Sequence, residues 1–80
     1  MDDNAILHRI TALVNEEHGL DKHGEQHGLE DEERQRLQDL QVMLDQCWDL
    51  LRQRRARRSA GQDPDQAEVR PSSVVEHYRQ

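Results

Sequence analysis

The chain has 80 residues, a net charge of −6 at pH 7, one tryptophan, one tyrosine and no phenylalanine. Such a chain forms one domain at most and has little apolar material for a core, so we expect oligomerisation or a partner to stabilise it. No apolar run approaches the roughly 18 residues that span a bilayer, and the acidic N-terminus is unlike a signal peptide. The single Cys47 cannot form an intramolecular disulfide, which fits a reducing compartment. We therefore expect a cytoplasmic protein without membrane contact.

A first helix of about four turns is predicted near the N-terminus. Ile6, Ile10 and Leu13 recur at helical spacing and form one apolar stripe. Asn4 or one of the preceding aspartates can cap the start of this helix. Gly19 is expected to end it.

A turn-rich connection is predicted from Gly19 to Leu29, because three His-Gly dipeptides interrupt it. Imidazoles among carboxylates suit zinc or nickel, so a metal site at His18, His23 and His27 is one hypothesis. A glycine-rich loop holds no ligand rigidly, however. We favour solvated turn residues, with no metal and no cofactor.

A long second helix is predicted to begin at Glu30 or Asp31 and to end at Gly61, with Pro64 preventing its resumption. Its apolar residues follow the three-and-four spacing of the a and d positions of a coiled coil. They are Leu37, Leu40, Leu44, Cys47 and Leu51. The fold class predicted from these elements is all-α: an antiparallel helical hairpin with one short and one long helix.

The unequal helices lead to a prediction about assembly. If Ile6 lies beside Leu44, the first helix ends before the distal half of the second, and an apolar patch stays uncovered. This patch comprises Cys47, Trp48, Leu50 and Leu51. We therefore expect a homodimer joined through the distal half of the second helix, unless the C-terminal extension folds back over it.

The predicted domains are a helical hairpin at 1–61 and an extension at 62–80. The extension is mostly polar and ends in a predicted short helix from Val74 to Arg79, where Ser73 and Glu76 have capping-box spacing. Packing of Val69, Val74 and Tyr78 over Trp48 would explain a stable monomer.

A block of arginines ends the second helix. It consists of Arg52, Arg54, Arg55, Arg57 and Arg58. Guanidinium groups suit phosphates and carboxylates alike. The simplest interpretation pairs these side chains with the acids at positions 49, 63, 65 and 68. No aromatic residue interleaves with the block and the rest of the chain is acidic, so an acidic protein surface or the chain's own tail is favoured over nucleic acid.

Catalytic signatures are absent from the sequence. Cys47 occupies a core position of the seam, which is typical of a buried and inert thiol. The carboxylate pairs Asp45/Asp49 and Glu32/Glu33 are interpreted as solvated helix faces. No glycine-rich phosphate loop is present. We predict that the protein is not an enzyme.

One specific string resembles a known family. The run from Leu44 to Ala56 contains Asp-Gln-Cys-Trp-Asp, and it is followed by Ala-Gly-Gln-Asp-Pro-Asp and Val-Arg-Pro. Together these segments are similar to a family of small actinobacterial proteins catalogued as a domain of unknown function, DUF2630. The resemblance covers nearly the whole chain and implies an actinobacterial, intracellular origin. It transfers no activity, cofactor or site residue.

The sequence therefore predicts a non-enzymatic interaction or assembly module. Tryptophan and arginine are enriched at binding hot spots. The predicted partner-binding residues are Cys47, Trp48, Leu51, Arg52, Arg54, Arg55 and Arg58. The alternative is a nucleic-acid-associated regulatory protein that contacts phosphates through the arginine block.

Overall fold

The computed structural model describes residues 1–77, which fold into two long antiparallel helices and a short extension. Helix α1 spans Asp3–His27 and helix α2 spans Asp31–Ser59. A single 3-10 turn at Pro64–Gln66 and helix α3 at Ser72–His77 follow. Residues 1–77 contain no strand. The prediction of an all-α helical hairpin with a C-terminal extension is confirmed.

Helix α1 extends beyond its predicted end. The side chain of Asp2 accepts a hydrogen bond from the backbone N–H of Ala5 at 2.8 Å, which confirms a cap by a preceding aspartate. The predicted stop at Gly19 is wrong, because the helix continues through Gly24. Leu20 packs against the core beyond Gly19, and this burial offsets the roughly 1 kcal/mol that a glycine costs inside a helix.

The third His-Gly dipeptide ends α1. Gly28 adopts a positive φ of 73°, which favours glycine. The chain then crosses to α2 within residues 28–30, so the predicted connection from Gly19 to Leu29 is wrong in extent. Gly24 permits this tight crossing, since a Cβ atom there would lie 2.9 Å from Cγ of Leu29.

Helix α2 has the predicted bounds. Glu33 accepts a hydrogen bond from the backbone N–H of Glu30 at 3.0 Å at its start. At its end Gly61 has a φ of 72°, and the N–H of Gln62 donates to the carbonyl of Arg57 at 2.7 Å. These features make a Schellman motif, which confirms Gly61 as the stop.

The two helices are nearly equal, with 25 and 29 residues, so the predicted contrast of one short and one long helix is wrong. Asp3 at the start of α1 binds Arg54 and Arg58. The register therefore lies about two turns further along α2 than the pairing of Ile6 with Leu44 predicted. Helix α1 thus reaches the arginine block.

The buried core lies in the half of this interface that is away from the connection. Buried side chains of both helices form one cluster. Its members are Ile6, Ile10, Leu13, Leu40, Leu44, Cys47, Leu50 and Leu51. The expectation that Cys47, Leu50 and Leu51 stay uncovered is therefore wrong, whereas the side chain of Trp48 is 47% exposed.

The extension folds back on α2. This arrangement is the predicted alternative to an apolar patch that stays uncovered. Val75 is buried at 1% exposure, whereas Val69 and Val74 are exposed. Helix α3 begins two residues before the predicted Val74. The roles predicted for Glu76, Tyr78 and Arg79 depend on side chains that lie outside the described residues. The domain boundary at 61/62 stays a prediction.

Candidate interaction surface

One stripe of α2, exposed except for the half-buried Asp45, combines an aromatic side chain with charges of both signs. Its members recur at steps of four, three, four and three, so they share one helix face beside the buried seam. We call this stripe the Trp48 face; it comprises Gln41, Asp45, Trp48, Arg52 and Arg55.

The surroundings of Trp48 are apolar on one side and acidic on the other. The indole lines a groove between the two long helices, together with Val14 and Leu44. Glu17 and Asp45 also line this groove. Since Arg52 follows Trp48 one turn later, the face is negative before the indole and positive after it.

Two predicted partner-binding residues lie inside the hairpin. Cys47 and Leu51 are 8% and 6% exposed. Burial raises the pKa of the Cys47 thiol, although the positive charge of Arg9 acts in the opposite direction. Their assignment to a partner stays a prediction, and in this structure both side chains stabilise the contact between α1 and α2.

Two arginines of the block bind carboxylates within the chain. Arg54 is 6% exposed; its Nε donates to Asp3 at 2.6 Å and its Nη1 donates to Asp65 at 2.9 Å. Arg58 donates to the other carboxylate oxygen of Asp3 at 2.7 Å. The hydrogen bonds from Arg58 and Arg54 lower the pKa of Asp3 to about 2. The sequence pointed to Asp65, but nothing in it indicated Asp3.

A second charged cluster is buried beneath the extension. Asp49 has no exposed surface, so its interpretation as part of a solvated helix face is wrong. Arg70 Nε donates to its Oδ2 at 2.9 Å, and Gln53 Nε2 donates to the same oxygen at 3.0 Å. The hydrogen bonds from Arg70 lower the pKa of Asp49 and outweigh its desolvation. Arg52 approaches the same carboxylate at 3.7 Å, as the simplest interpretation of the block anticipated.

The two remaining arginines of the block, Arg55 and Arg57, differ in exposure. Arg55 is exposed, and neither Arg55 nor Arg57 forms an ion pair within the described part of the chain. The block therefore divides into a clamp around the buried Arg54, the exposed Arg55 on the Trp48 face, and the half-buried Arg57, which lies beside Glu68 and Arg70 of the extension.

The three histidines lie on α1, not in a loop. Nε2 of His23 is 3.2 Å from a carboxylate oxygen of Glu33, and the rings of His23 and His27 are 5.1 Å apart between centroids. His18 is exposed one turn earlier. Among the described residues, no group of three or more histidine, cysteine or acidic side chains is arranged to hold a metal ion.

No helix within residues 1–77 combines the length and the apolar character that crossing a bilayer requires.

Comparison with known proteins places the chain among uncharacterized relatives. It is 49% identical over 77 residues to the uncharacterized protein Rv0898c of Mycobacterium tuberculosis, which covers 95% of this chain and 88% of the relative. The same figures hold for the uncharacterized protein Mb0922c of Mycobacterium bovis. No solved structure matches the chain. The family model described as "Protein of unknown function (DUF2630)" matches residues 2–80, and the chain belongs to that family.

Proposed function

We propose that the protein is a non-enzymatic assembly module that forms an antiparallel homodimer through the Trp48 face. The observation that carries this proposal is the half-exposed indole of Trp48, with acidic side chains on one side and arginines on the other. A surface of this kind is complementary to a second copy of itself turned through 180°. A cytoplasmic location is part of the proposal, given the lone cysteine.

The spacing of the charges along α2 fits a two-fold axis at Trp48. Asp45 precedes the indole by three residues and Arg52 follows it by four, which are about 4.5 and 6 Å along the helix axis. An antiparallel copy that packs Trp48 against Trp48 places each Asp45 beside the other copy's Arg52. The side chain of Arg52 is 56% exposed despite its contact with Asp49, so it retains surface for a second carboxylate.

The tryptophan ring and the charged pairs are expected to contribute differently to the dimer. A tryptophan ring that leaves water supplies most of the affinity of a small interface. The charged pairs fix orientation and speed encounter more than they add affinity. Because one helix face buries little area, we expect a dimer of roughly micromolar affinity.

Sedimentation equilibrium of the wild type and of Trp48→Ala tests this proposal. The wild type is expected to dimerise with a micromolar Kd, and Trp48→Ala to remain monomeric with an unchanged helical circular dichroism spectrum. Val69→Ala is the matched control, because Val69 is exposed in the extension and lies beside Gln46 and Leu50, not beside residues of the Trp48 face. A wild type that stays monomeric at several hundred micromolar would reject the homodimer.

Charge reversals test the antiparallel geometry. Asp45→Arg alone and Arg52→Asp alone are each expected to weaken the dimer, because each places like charges opposite one another twice. An equal mixture of the two variants restores both opposite-charge pairs and should associate as heterodimers. Asp21→Arg on α1 controls for the change in net charge. Failure of the mixture to associate better than either variant would exclude this geometry.

Nucleic-acid binding remains the alternative proposal. Its support is the exposed Arg55 and the half-buried Arg57, which form no ion pair among the described residues and could bind phosphates. It ranks second because Arg54 and Arg58 are bound to Asp3 within the chain.

A further inference from the structure

An apolar cavity lies on another side of the hairpin, away from the Trp48 face. It has a volume of about 230 Å³ and is formed by α1, α2, the extension and the first residue of the chain. The apolar lining comes from Met1, Met43, Cys47, Leu50 and Val69. The inner wall of the cavity is the buried core at Cys47 and Leu50. The exposed residues Met1 and Val69 lie at its opening.

Two polar side chains line this cavity. Arg9 is exposed on α1, lines the cavity beside Cys47 and makes no ion pair with a carboxylate among the described residues. Gln46 donates to the backbone carbonyl of Arg70 at 3.2 Å, which holds the extension and its Val69 against α2. The site therefore offers an apolar interior and a guanidinium without a carboxylate partner.

The size of the cavity limits its ligand. A cavity of about 150 Å³ accommodates benzene, so a volume of 230 Å³ corresponds to roughly nine heavy atoms. A ligand of this size that satisfies both the apolar lining and Arg9 has a short hydrocarbon chain and one anionic end.

We infer that this cavity binds a medium-chain monocarboxylate, with its hydrocarbon chain against Met43 and Leu50 and its carboxylate on Arg9. The two methionines are flexible and adapt to an alkyl chain. The inference is independent of the proposed dimer, because the cavity shares no residue with the Trp48 face.

The methionines provide a direct test, since Met1 and Met43 are the two methionines of the sequence and both line the cavity. Protein labelled with ¹³C at the methionine methyl groups is titrated with octanoate and followed by NMR. Both methyl signals are expected to shift and to saturate with about one equivalent bound. Shifts that do not saturate up to about 10 mM octanoate would overturn the inference.

Variants test each half of the site. Arg9→Gln is expected to weaken octanoate binding about tenfold or more, while Lys22→Gln, which removes one positive charge elsewhere on α1, changes it less than twofold. Octan-1-ol has the same chain without the charge and should bind about tenfold more weakly than octanoate. Equal binding of the alcohol, or of the Arg9 variant, would overturn the assignment of a carboxylate ligand.

A cavity-filling change tests the position of the ligand. Because Val69 is exposed at the opening of the cavity, the Val69→Phe variant is expected to fold. Its larger side chain is expected to exclude octanoate. Val74→Phe is the matched control, because Val74 is also exposed in the extension but does not line the cavity. Wild-type binding by the Val69→Phe variant would place the ligand elsewhere.

Discussion

Arg70 binds Asp49, a carboxylate with no exposed surface, and thereby attaches the C-terminal extension to the middle of α2. Gln53 joins the same cluster and also donates to the carbonyl of Glu68 at 2.7 Å. The extension is thus held by charged and polar groups as well as by Val75.

Removal of Arg70 should destabilise the fold markedly. Arg70→Met leaves the buried carboxylate of Asp49 without its main donor, and loss of one partner of a buried pair costs about 3 kcal/mol or more. Urea unfolding followed by circular dichroism measures this free energy. Arg34→Met is the control, because Arg34 pairs with Asp31 and donates to the carbonyl of Leu29 on the exposed surface, where such contacts contribute at most about 1 kcal/mol each. Equal losses in the two variants would contradict the structure of this cluster.

The clamp at the other end of the hairpin should be sensitive to acid. The pKa of Asp3 falls from 3.8 to about 2 on folding, so the folded state binds fewer protons between these values. Its stabilising effect is complete above about pH 5 and is lost as the pH falls through 3.8 towards 2. The stability difference between wild type and Asp3→Asn, measured by urea unfolding, should therefore shrink over this range. Asp21→Asn, at an exposed position of α1, is the control; a difference independent of pH would reject the clamp.

The two glycines inside α1 should respond differently to alanine. Gly19 has open space where a Cβ atom would stand, so Gly19→Ala should stabilise the protein by about 0.5–1 kcal/mol. At Gly24 the new methyl group meets the side chain of Leu29 at 2.9 Å, and the gain in helix propensity is offset by displacement of that side chain. Thermal unfolding of the two variants compares them directly. An equal gain at both positions would mean that Leu29 does not restrict Gly24.

Metal should not affect stability. His23 faces Glu33 and lies beside the ring of His27, and no group of metal ligands is assembled among the described residues. We expect the melting temperature to be unchanged by millimolar chelator and by added zinc. A clear rise with zinc would indicate a native-state site, because a ligand that binds only the folded state stabilises it by mass action.

Salt dependence separates the two proposed functions. If the exposed arginines bind duplex DNA, log affinity should fall by about 0.9 per phosphate contacted for each unit of log salt. We expect weak binding that physiological salt abolishes. Submicromolar DNA binding at physiological salt that is lost in Arg55→Glu/Arg57→Glu but retained in Trp48→Ala would favour the alternative.

The sequence predicted the helices better than their register. Four members of the predicted seam, Leu40, Leu44, Cys47 and Leu51, are buried in the core, and Gly61 ends α2. Both predictions depend on neighbouring residues. The predicted end of α1 was too early, because a glycine inside a helix costs only about 1 kcal/mol of stability. The packing of Leu20 against the core offsets this cost. The error in one helix end then displaced the predicted pairing of the two helices.

In the candidate surface, too, features set by neighbouring residues were easier to predict than contacts between distant residues. The exposure of Trp48 was predicted from an incorrect premise, an early end of α1; Trp48 is exposed because it lies one residue outside the seam at Cys47. This position could be read from local spacing. The contact of Arg54 with Asp3 could not, because Asp3 lies 51 positions away and local patterns carry no information on such a contact. Asp49 was misinterpreted for the same reason, since its burial depends on Arg70, which lies 21 positions later.

The distance along the chain between Asp3 and its arginines has a kinetic consequence. Contacts beside the connection, such as that of His23 with Glu33, close short loops and cost little entropy to form. The contact of Asp3 with Arg58 closes a separation of 55 residues. The hairpin is therefore expected to form outward from its connection, with the clamp closing last. A clamp absent from the transition state mainly slows unfolding, so loss of Asp3 should accelerate unfolding and leave the folding rate almost unchanged.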